Sequence, residues 1–310
     1  MKKGANRAVV ICGPTASGKT DFAHKIALEN NGQIINADSM QIYKELPIIT
    51  ASPEDHLRSE LPYHLYNFQN VDQEFSAAKY AKNSSQVVKS IAAEGMLPVI
   101  VGGSGMYINM LVNGYNIMPD IEDEVRNQAR DLYQEIGAEA FFRELEKIDP
   151  ESAKRLNVGD RQRVTRAYEV AKQTGRSILD FQAKEKAKPL ENFEFKILFL
   201  LPERKFLHFM CNERLKKMFA NGAIEEVENM YKKYGEIQTS AAKALGVSEI
   251  IAYIKGEISL DQALELASAK TRQYAKRQIT WFTHQLPKKE ILRFGNVEEY
   301  GILQKKNMLG

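Results

Sequence analysis

The sequence predicts an α/β fold with a parallel sheet core, a helical insertion and a helical C-terminal part. The first observation behind this prediction is that short apolar runs, mostly β-branched, recur at residues 8–12, 33–37, 97–101 and 195–201. Runs that are apolar throughout are typical of strands buried on both faces of a parallel sheet. The second observation is that helix-like segments separate these runs, as the crossovers of a parallel sheet require.

The first predicted strand leads directly into a segment with the spacing of a phosphate-binding loop. This segment consists of Gly13, Pro14, Thr15, Ala16, Ser17, Gly18, Lys19 and Thr20. The two glycines, the lysine and the hydroxyl residue fit the loop pattern, and a helix-like segment at 21–29 follows as the pattern requires. Backbone N–H groups of such a loop bind phosphate, Lys19 adds a cation, and the Thr20 hydroxyl can ligate Mg²⁺. We therefore predict a P-loop NTPase-like core that binds a di- or triphosphate.

A change in character near residue 113 predicts two domains. Helical periodicity dominates from there to about 190, with one helix expected to begin after Asp160 as its N-cap and to end at Gly175. We predict that residues 1–112 and 191–310 form a P-loop α/β catalytic core and that residues 113–190 form a helical insertion domain.

The composition is that of a globular protein from a reducing compartment. With 310 residues, 44% hydrophobic and 27% charged, the chain can bury a full core. The net charge of +3 is too small to indicate a nucleic-acid partner by itself. Cys12 and Cys211 lack disulfide or metal-ligand spacing and are expected to be buried thiols. Since no apolar leader and no membrane-spanning run is visible, we expect a cytoplasmic enzyme.

Two further strands end in loops with chemical character. Asp38 and Ser39 follow the second apolar run, and a glycine-rich stretch, 102–105, follows the third. Because ligands of open parallel sheets bind at the carboxyl ends of strands, we expect these loops beside Lys19. Asp38 would accept a proton from an incoming nucleophile there, or simply cap a turn. The third run lacks the closing Asp that binds Mg²⁺ in motor ATPases and GTPases, which argues against NTP hydrolysis.

Two basic segments with helical spacing are candidate nucleic-acid surfaces. Residues 160–166 carry three arginines, which suit either a solvated helix face or contact with a phosphate backbone. The second segment, 270–281, lies in a C-terminal part expected to be helical over 203–234 and 260–285. The polar side of the predicted helix 260–285 carries Lys270, Gln273, Lys276, Arg277 and His284. This pattern is typical of a helix that faces RNA or pyrophosphate, and equally of an exposed amphipathic helix.

Five blocks, in order, resemble those of the tRNA dimethylallyltransferases, also called tRNA isopentenyltransferases, of the IPP transferase family. The blocks are 13–20, 38–43, 101–107, 160–170 and 271–281, and the resemblance covers nearly the whole chain. It implies transfer of a dimethylallyl group from dimethylallyl diphosphate to N6 of the adenosine immediately 3′ of the tRNA anticodon, with release of diphosphate. The implied partners are dimethylallyl diphosphate and the tRNA anticodon stem-loop, and the implied cofactor is Mg²⁺. We expect a monomer without membrane association.

The resemblance also implies roles for individual residues. Asp38 is expected to act as general base toward the adenine amine, Thr20 to bind the metal or a diphosphate oxygen, and Lys19 to neutralise leaving-group charge. Diphosphate binding is assigned to the phosphate loop together with Arg272 and Arg277. The residues implied in tRNA contacts are Asp38, Ser39, Met40, Gln41, Ser104, Arg126, Gln162, Arg163, Val164, Thr165 and Arg166.

The chain departs from the family pattern at three RNA-contacting places. Met40 stands where the family has Arg, Ser52 where it has Lys, and Val247-Ser248 where it has an aromatic and a basic residue. We expect weaker or different RNA contacts at these places and an intact diphosphate site.

Two other functions share parts of the pattern. An ATP-dependent small-molecule kinase of the P-loop class needs the same loop and sheet, and Arg161, Arg163 and Arg166 would serve as its lid arginines. A non-catalytic RNA-binding protein leaves Lys19 and Asp38 without a purpose. The four blocks outside the phosphate loop favour prenyl transfer over both.

Overall fold

The computed structural model describes residues 6–286 and 288–309, which form two compact units. Gly114–Lys188 form the smaller unit, and the described residues on either side of it form the larger one. The sequence-based limits of the insertion, 113 and 190, lie within two residues of the limits of the smaller unit. The assignment of catalysis to one unit and of an insertion role to the other stays a prediction.

A parallel sheet of six strands, in the order β3-β2-β4-β1-β5-β6, is the frame of the larger unit. The strands are β1 (Asn6–Cys12), β2 (Gly32–Asn36), β3 (Tyr63–His64), β4 (Leu97–Gly102), β5 (Phe193–Pro202) and β6 (Lys289–Phe294). Val10 of β1 is in register with Ile100 of β4 and with Ile197 of β5. All three side chains are buried, as the apolar runs predicted, and the α/β fold with parallel strands is confirmed.

The sequence analysis missed the edge strands β3 and β6. β3 is only two residues long, and β6 alternates exposed and buried positions near its end because only one face of it is covered. Charged residues interrupt the apolar residues of β6, so the strand does not form a continuous apolar run. The helical C-terminal part therefore also contains one strand.

Nine α-helices accompany the sheet in the described part of the larger unit. They are α1 (Lys19–Glu29), α2 (Asp55–Glu60), α3 (Ala77–Ala93), α4 (Gly105–Asn113), α9 (Arg204–Ala220), α10 (Ala223–Tyr234), α11 (Val247–Ile254), α12 (Leu260–Gln285) and α13 (Val297–Lys305). A 3₁₀-helix, Ser240–Lys243, precedes α11. The predicted helical run 203–234 is two helices, because Gly222 adopts φ 100° between α9 and α10.

The smaller unit is helical and has a core of its own. Its helices are α5 (Asp123–Ile148), α6 (Pro150–Ala153), α7 (Arg161–Thr174) and α8 (Ile178–Gln182). As predicted, the Asp160 side chain caps α7 by accepting from the N–H of Arg163, and Gly175 ends the helix with φ 64°. Phe141, Leu145 and other apolar residues of α5 pack with those of α7 in this core.

Two apolar layers cover the sheet of the larger unit. Side chains that alternate along β1 point to opposite layers: Val9 and Ile11 pack with Phe22 of α1, whereas Val10 and Cys12 belong to the other layer. A third cluster joins helices α9 to α12. Within the described residues, no helix is both long and apolar enough to cross a bilayer. The sheet thus fixes where β1, β2 and β4 end, and the functional loops begin there.

Candidate active site

The conformation of the phosphate loop depends on its two glycines. Gly18 adopts φ 77° immediately before α1, in the left-handed region that favours glycine. Gly13 is enclosed, since a Cβ there would lie 2.8 Å from the carbonyl oxygen of Leu200 and 2.8 Å from Oγ of Ser17. The loop can therefore fold back over the N-terminus of α1, where unpaired backbone N–H groups attract an anion.

Two buried polar side chains of this loop are suited to a phosphate group. Ser17 is 3% exposed, and its Oγ has no hydrogen-bond partner among the residues that the structure describes. Lys19 is 9% exposed and donates from Nζ to the carbonyl oxygen of Pro14 at 3.2 Å. Burial lowers the pKa of Lys19 to about 8, although the charge of Asp38 opposes this shift. A buried hydroxyl and a desolvated ammonium gain most from an anionic oxygen.

Asp38, directly beyond β2, is oriented by backbone contacts. Its N–H donates to Oδ1 of Asn36 at 2.8 Å, and Nδ2 of Asn36 donates to the Asp38 carbonyl oxygen at 3.0 Å. Carboxylate oxygen Oδ1 accepts from the N–H of Met40 at 3.0 Å, which is the turn-capping role considered above. Oδ2 has no donor among the described residues. Because the charge of Asp38 acts on the pKa of Lys19, capping and a role at the phosphate loop are compatible.

The loop after β4 lies against Asp38, as the sequence predicted. A Cβ at Gly103 would lie 3.3 Å from Oδ2 of Asp38, so the glycine keeps this oxygen accessible. Oγ of Ser104 accepts from the N–H of Ser39 at 2.8 Å and donates to its Oγ at 3.1 Å. In the described structure Ser104 and Ser39 thus join the loops after β2 and β4; their predicted contacts with tRNA stay predictions.

Gln278 of α12 is a site residue that the sequence analysis missed. It is 5% exposed, and its Oε1 accepts from the N–H of Thr15 at 2.8 Å. Its Nε2 donates to the carbonyl oxygen of Gly103 at 3.0 Å. One amide therefore joins the phosphate loop to the loop beside Asp38. The only sequence signal was a polar residue on the otherwise apolar side of a predicted amphipathic helix.

Arg214 of α9 is the second missed residue. Its guanidinium donates to Oγ1 of Thr15 in the phosphate loop. Burial lowers the pKa of Arg214, while Asp38 and Cys211 oppose the shift. Because a guanidinium stays charged even when buried, the site combines two cations, Lys19 and Arg214, with one carboxylate.

Helix α12 also carries the predicted basic residues Arg272 and Arg277. Arg272 is half-buried and donates to Oδ1 of Asn212 at 2.8 Å, whereas Arg277 is exposed and lies 5.6 Å from the centre of the Tyr274 ring. Arg277 lines an open groove of about 670 Å³ with Gln273, Lys276, Thr280, Trp281, His284 and Gln285. The indole of Trp281 covers Gly105, where a Cβ would lie 2.1 Å from its ring. The two arginines thus have different surroundings, and their diphosphate role stays a prediction.

In the smaller unit, the predicted tRNA-contacting residues divide into exposed and buried positions. Gln162 and Arg163 are exposed on α7, and Nε of Arg163 lies 3.3 Å from Oδ2 of Asp160. Val164 is fully buried in the core of the unit, so its side chain does not reach solvent, and its predicted tRNA contact stays a prediction. The hydroxyl of Thr165 is buried without a partner among the described residues.

The two other arginines predicted to contact tRNA, Arg166 and Arg126, have local partners. Arg166 donates to Oε2 of Glu169 at 3.3 Å and to the carbonyl oxygen of Pro119 at 3.1 Å. Arg126 is half-buried, with a long contact of 3.5 Å to Oδ1 of Asp123. Their tRNA contacts stay predictions that these local partners neither require nor prevent.

The positions that depart from the family pattern are engaged within the chain. Oγ of Ser52 donates to Oδ1 of Asn67 at 2.6 Å. Val247 is 1% exposed and packs in the helical cluster, and Oγ of Ser248 donates to Oε1 of Glu249 at 3.0 Å. Met40 packs at the edge of the same cluster. These side chains therefore make contacts within the fold, and the expectation of altered RNA contacts stays a prediction.

Few side chains of the site could serve as ligands of Mg²⁺. Among the described residues, no cluster of three or more His, Cys, Asp or Glu side chains is arranged to hold a metal ion. Thr20 is half-buried, and none of the described residues hydrogen-bonds to its hydroxyl. The arrangement fits a Mg²⁺ ion that takes most of its oxygen ligands from a bound diphosphate and from water.

Fold and site together define an α/β protein with a P-loop that places a carboxylate beside a phosphate-binding loop. A family model described as IPP transferase matches residues 41–285, and the chain belongs to this family. The chain is 49% identical to a tRNA dimethylallyltransferase of Rickettsia conorii, over 94% of this chain and 80% of the relative. It is 48% identical to one of Rickettsia bellii, over 94% of this chain and 92% of the relative.

Solved structures agree with this assignment. A tRNA isopentenylpyrophosphate transferase of Bacillus halodurans superposes with a TM-score of 0.67 at 28% identity, over 96% of this chain and 94% of that chain. A eukaryotic dimethylallyltransferase acting on tRNA superposes with a TM-score of 0.80 at 25% identity, over 96% of this chain and 76% of that chain. The resemblance stated from the five sequence blocks is confirmed.

Proposed function

We propose that the protein transfers a dimethylallyl group from dimethylallyl diphosphate to N6 of the adenosine 3′-adjacent to the anticodon of tRNA, releasing diphosphate. Membership of the IPP transferase family supports the reaction class. The observation that carries the proposal is the proximity of one carboxylate, Asp38, to two cations of the phosphate site, the buried Lys19 and the half-buried Arg214. A base and an anion site side by side are what an amine nucleophile and a diphosphate leaving group require.

The diphosphate would lie on the phosphate loop. Backbone N–H groups at the start of α1, Oγ of Ser17 and the ammonium of Lys19 supply donors, and both side chains are buried. Arg214 is held against the loop by Thr15 and adds a second fixed charge. These groups stabilise the charge that develops on the leaving diphosphate more than the charge of the bound substrate, which lowers the barrier.

The proposed transfer forms one bond, breaks one bond and moves one proton. The N6 lone pair forms a bond to C1 of the dimethylallyl group, and the bond from C1 to the bridging oxygen breaks. Its electron pair leaves with the diphosphate. The proton that N6 loses goes to Oδ2 of Asp38, the carboxylate oxygen that Gly103 leaves accessible.

Mg²⁺ is part of the proposal as a cofactor. The Thr20 hydroxyl would hold it together with diphosphate oxygens and water, and a bound Mg²⁺ supplies additional charge neutralisation of the leaving group. The protein contributes a single neutral oxygen, so we expect the metal to bind tightly only in the presence of diphosphate.

The proposed setting is the cytoplasm, with the protein acting as a monomer on tRNA. The two cysteines are free and buried, and burial raises the pKa of the Cys12 thiol to about 12. Unreactive, unpaired thiols are typical of a reducing compartment.

The test is transfer of radiolabel from dimethylallyl diphosphate to an anticodon stem-loop with adenosine at the target position, in Mg²⁺ and without ATP. The matched control RNA carries guanosine at that position, and Asp38→Asn is the matched protein control. We expect label only in the adenosine RNA and only with the unsubstituted protein. Label in neither RNA, together with phosphoryl transfer to a small molecule in a parallel assay that contains ATP, would replace this proposal with a P-loop kinase.

A further inference from the structure

The C-terminal helix α13 contacts the phosphate loop at a glycine. The hydroxyl of Tyr300 donates to the carbonyl oxygen of Gly18 at 2.7 Å, across 282 residues of sequence. The ring of Tyr300 also closes the space beside this glycine, since a Cβ at Gly18 would lie 2.8 Å from it. Gly18 is the N-cap of α1, and no side chain caps this helix. The Tyr300 hydroxyl therefore holds the backbone of the residue at which α1 begins.

The Gly18 carbonyl and the Lys19 N–H belong to the same planar trans peptide group, so a contact that fixes one also fixes the other. The carbonyl accepts two hydrogen bonds, one from Tyr300 and one from the N–H of Phe22 at 3.1 Å. Two donors at one carbonyl hold the plane of the peptide and polarise it. The Lys19 N–H is thereby aimed at the phosphate site and strengthened as a donor.

Tyr300 is itself held in place. Nε2 of Gln304 donates to the Tyr300 hydroxyl at 3.2 Å, and Nζ of Lys25 in α1 donates to the carbonyl oxygen of Gln304. The Tyr300 ring packs against Phe22 and Phe294, with ring centres 6.5 Å and 5.2 Å away. Burial raises the pKa of Tyr300, so the phenol stays a neutral donor throughout the physiological range.

We propose that Tyr300 is a positioning residue for the diphosphate site: its hydroxyl orients the Gly18–Lys19 peptide for contact with the leaving group. This inference rests on the proposed function, because it takes the ligand of the loop to be a diphosphate. Tyr300 lies outside the residues 41–285 matched by the family model and outside every block used in the sequence analysis. Tyr300 is the one residue of α13 to which we assign a role in the reaction.

The test compares Tyr300→Phe with Tyr63→Phe in the full chain. Both changes remove one phenol hydroxyl bonded to α1 or its loop, since Tyr63 lies 2.8 Å from Nδ1 of His24 in the same helix. The measurements are the Kd of inorganic diphosphate by calorimetry, the KM for dimethylallyl diphosphate, kcat, and the KM for the RNA stem-loop. For Tyr300→Phe we expect about three- to tenfold weaker diphosphate binding, a similar rise in the KM for the donor and an unchanged KM for RNA.

If the loss of either hydroxyl merely loosened α1, both substitutions would weaken diphosphate binding equally. Equal weakening by Tyr63→Phe and Tyr300→Phe, or an unchanged diphosphate Kd in Tyr300→Phe, overturns the inference. If Tyr300→Phe does not fold, Gln304→Leu removes the support of the hydroxyl, and a change of less than about 1.5-fold in the diphosphate Kd overturns it as well. Diphosphate binding that depends on Tyr300 without prenyl transfer would overturn the proposed function and leave this inference standing. Absence of diphosphate binding by the unsubstituted protein would overturn both.

Discussion

The phosphate loop of the larger unit and the arginines of the smaller unit hold positive charge in opposite ways. Lys19 is 9% exposed and donates to the Pro14 carbonyl of its own loop, and Arg214 reaches that loop from a helix 199 positions away. Arg163 is exposed, and it forms an ion pair with Asp160, the N-cap residue of its own helix. A desolvated charge binds a small anion strongly and specifically, whereas exposed charges add small increments that salt weakens. The first arrangement suits a substrate, and the second suits a polymer backbone.

Asp38→Asn tests whether the carboxylate beside the phosphate loop is the general base, and we expect this substitution to have the largest effect. The amide keeps the size of the side chain but cannot accept the N6 proton, so kcat should fall by about 10²- to 10⁴-fold. RNA affinity, measured by filter binding, should change less than about threefold. A comparable loss in RNA affinity would mean that Asp38 binds RNA rather than acting as base.

Arg214→Ala tests whether the half-buried guanidinium at the phosphate loop serves the small ligand. We expect the KM for dimethylallyl diphosphate to rise about ten- to a hundredfold, because a charge-assisted contact is lost from a desolvated site. Arg204→Ala is the matched control, since Arg204 is exposed at the start of the same helix. Equal effects of the two substitutions on steady-state kinetics would contradict the distinction between buried and exposed charge.

Gln278→Leu tests the bridge between the loops. Losing both hydrogen bonds should lower kcat about tenfold, as the phosphate loop and the loop beside Asp38 lose their common support. Gln278→Glu keeps an acceptor for the Thr15 N–H but loses the donor to Gly103, so an intermediate kcat is expected. Gln273→Leu, at an exposed position of α12, provides the control and should leave kcat unchanged.

The lowered pKa of Lys19 predicts a pH dependence of diphosphate affinity. The free protein holds Lys19 protonated below about pH 8, and a bound anion favours that protonated form. Affinity should therefore be fully present below pH 8 and decline above it, by up to tenfold per pH unit. Lys19→Arg stays charged, so the ratio of the two Kd values by calorimetry isolates the lysine from the titration of the ligand. A ratio independent of pH would contradict the assignment.

Arg163→Ala tests the exposed side of the comparison and should have the smallest effect. Loss of one phosphate contact should weaken RNA binding a few-fold and lower the salt slope by about 0.7 to 0.9. Lys154→Ala is the control, because Lys154 is an exposed cation of the same unit with a similar partner three residues away, Glu151. Equal slopes for both variants in a salt titration would argue against a specific RNA contact.

Much of the fold could be predicted because its signals are local. The spacing of a few adjacent residues identifies the phosphate loop, and continuous apolar runs identify four of the strands. Asp160 and Gly175 likewise mark the two ends of α7. Gln278 and Arg214 could not be assigned, since they lie 263 and 199 residues from Thr15, and only the packing of α12 and α9 brings them to the loop. Adjacent residues on a helix differ in exposure, so the predicted tRNA-contacting block 162–166 includes one residue, Val164, whose side chain points into the core.

The position of Trp281 gives the protein an intrinsic spectroscopic probe. The sequence contains one tryptophan, and its indole lies over Gly105 in the groove beside Lys276 and Arg277. Indole emission therefore reports on that groove and on the adjoining core contacts, without any added dye or engineered label. Titration of the native chain with RNA or with diphosphate, followed by emission wavelength and intensity, will show which of the two ligands reaches α12.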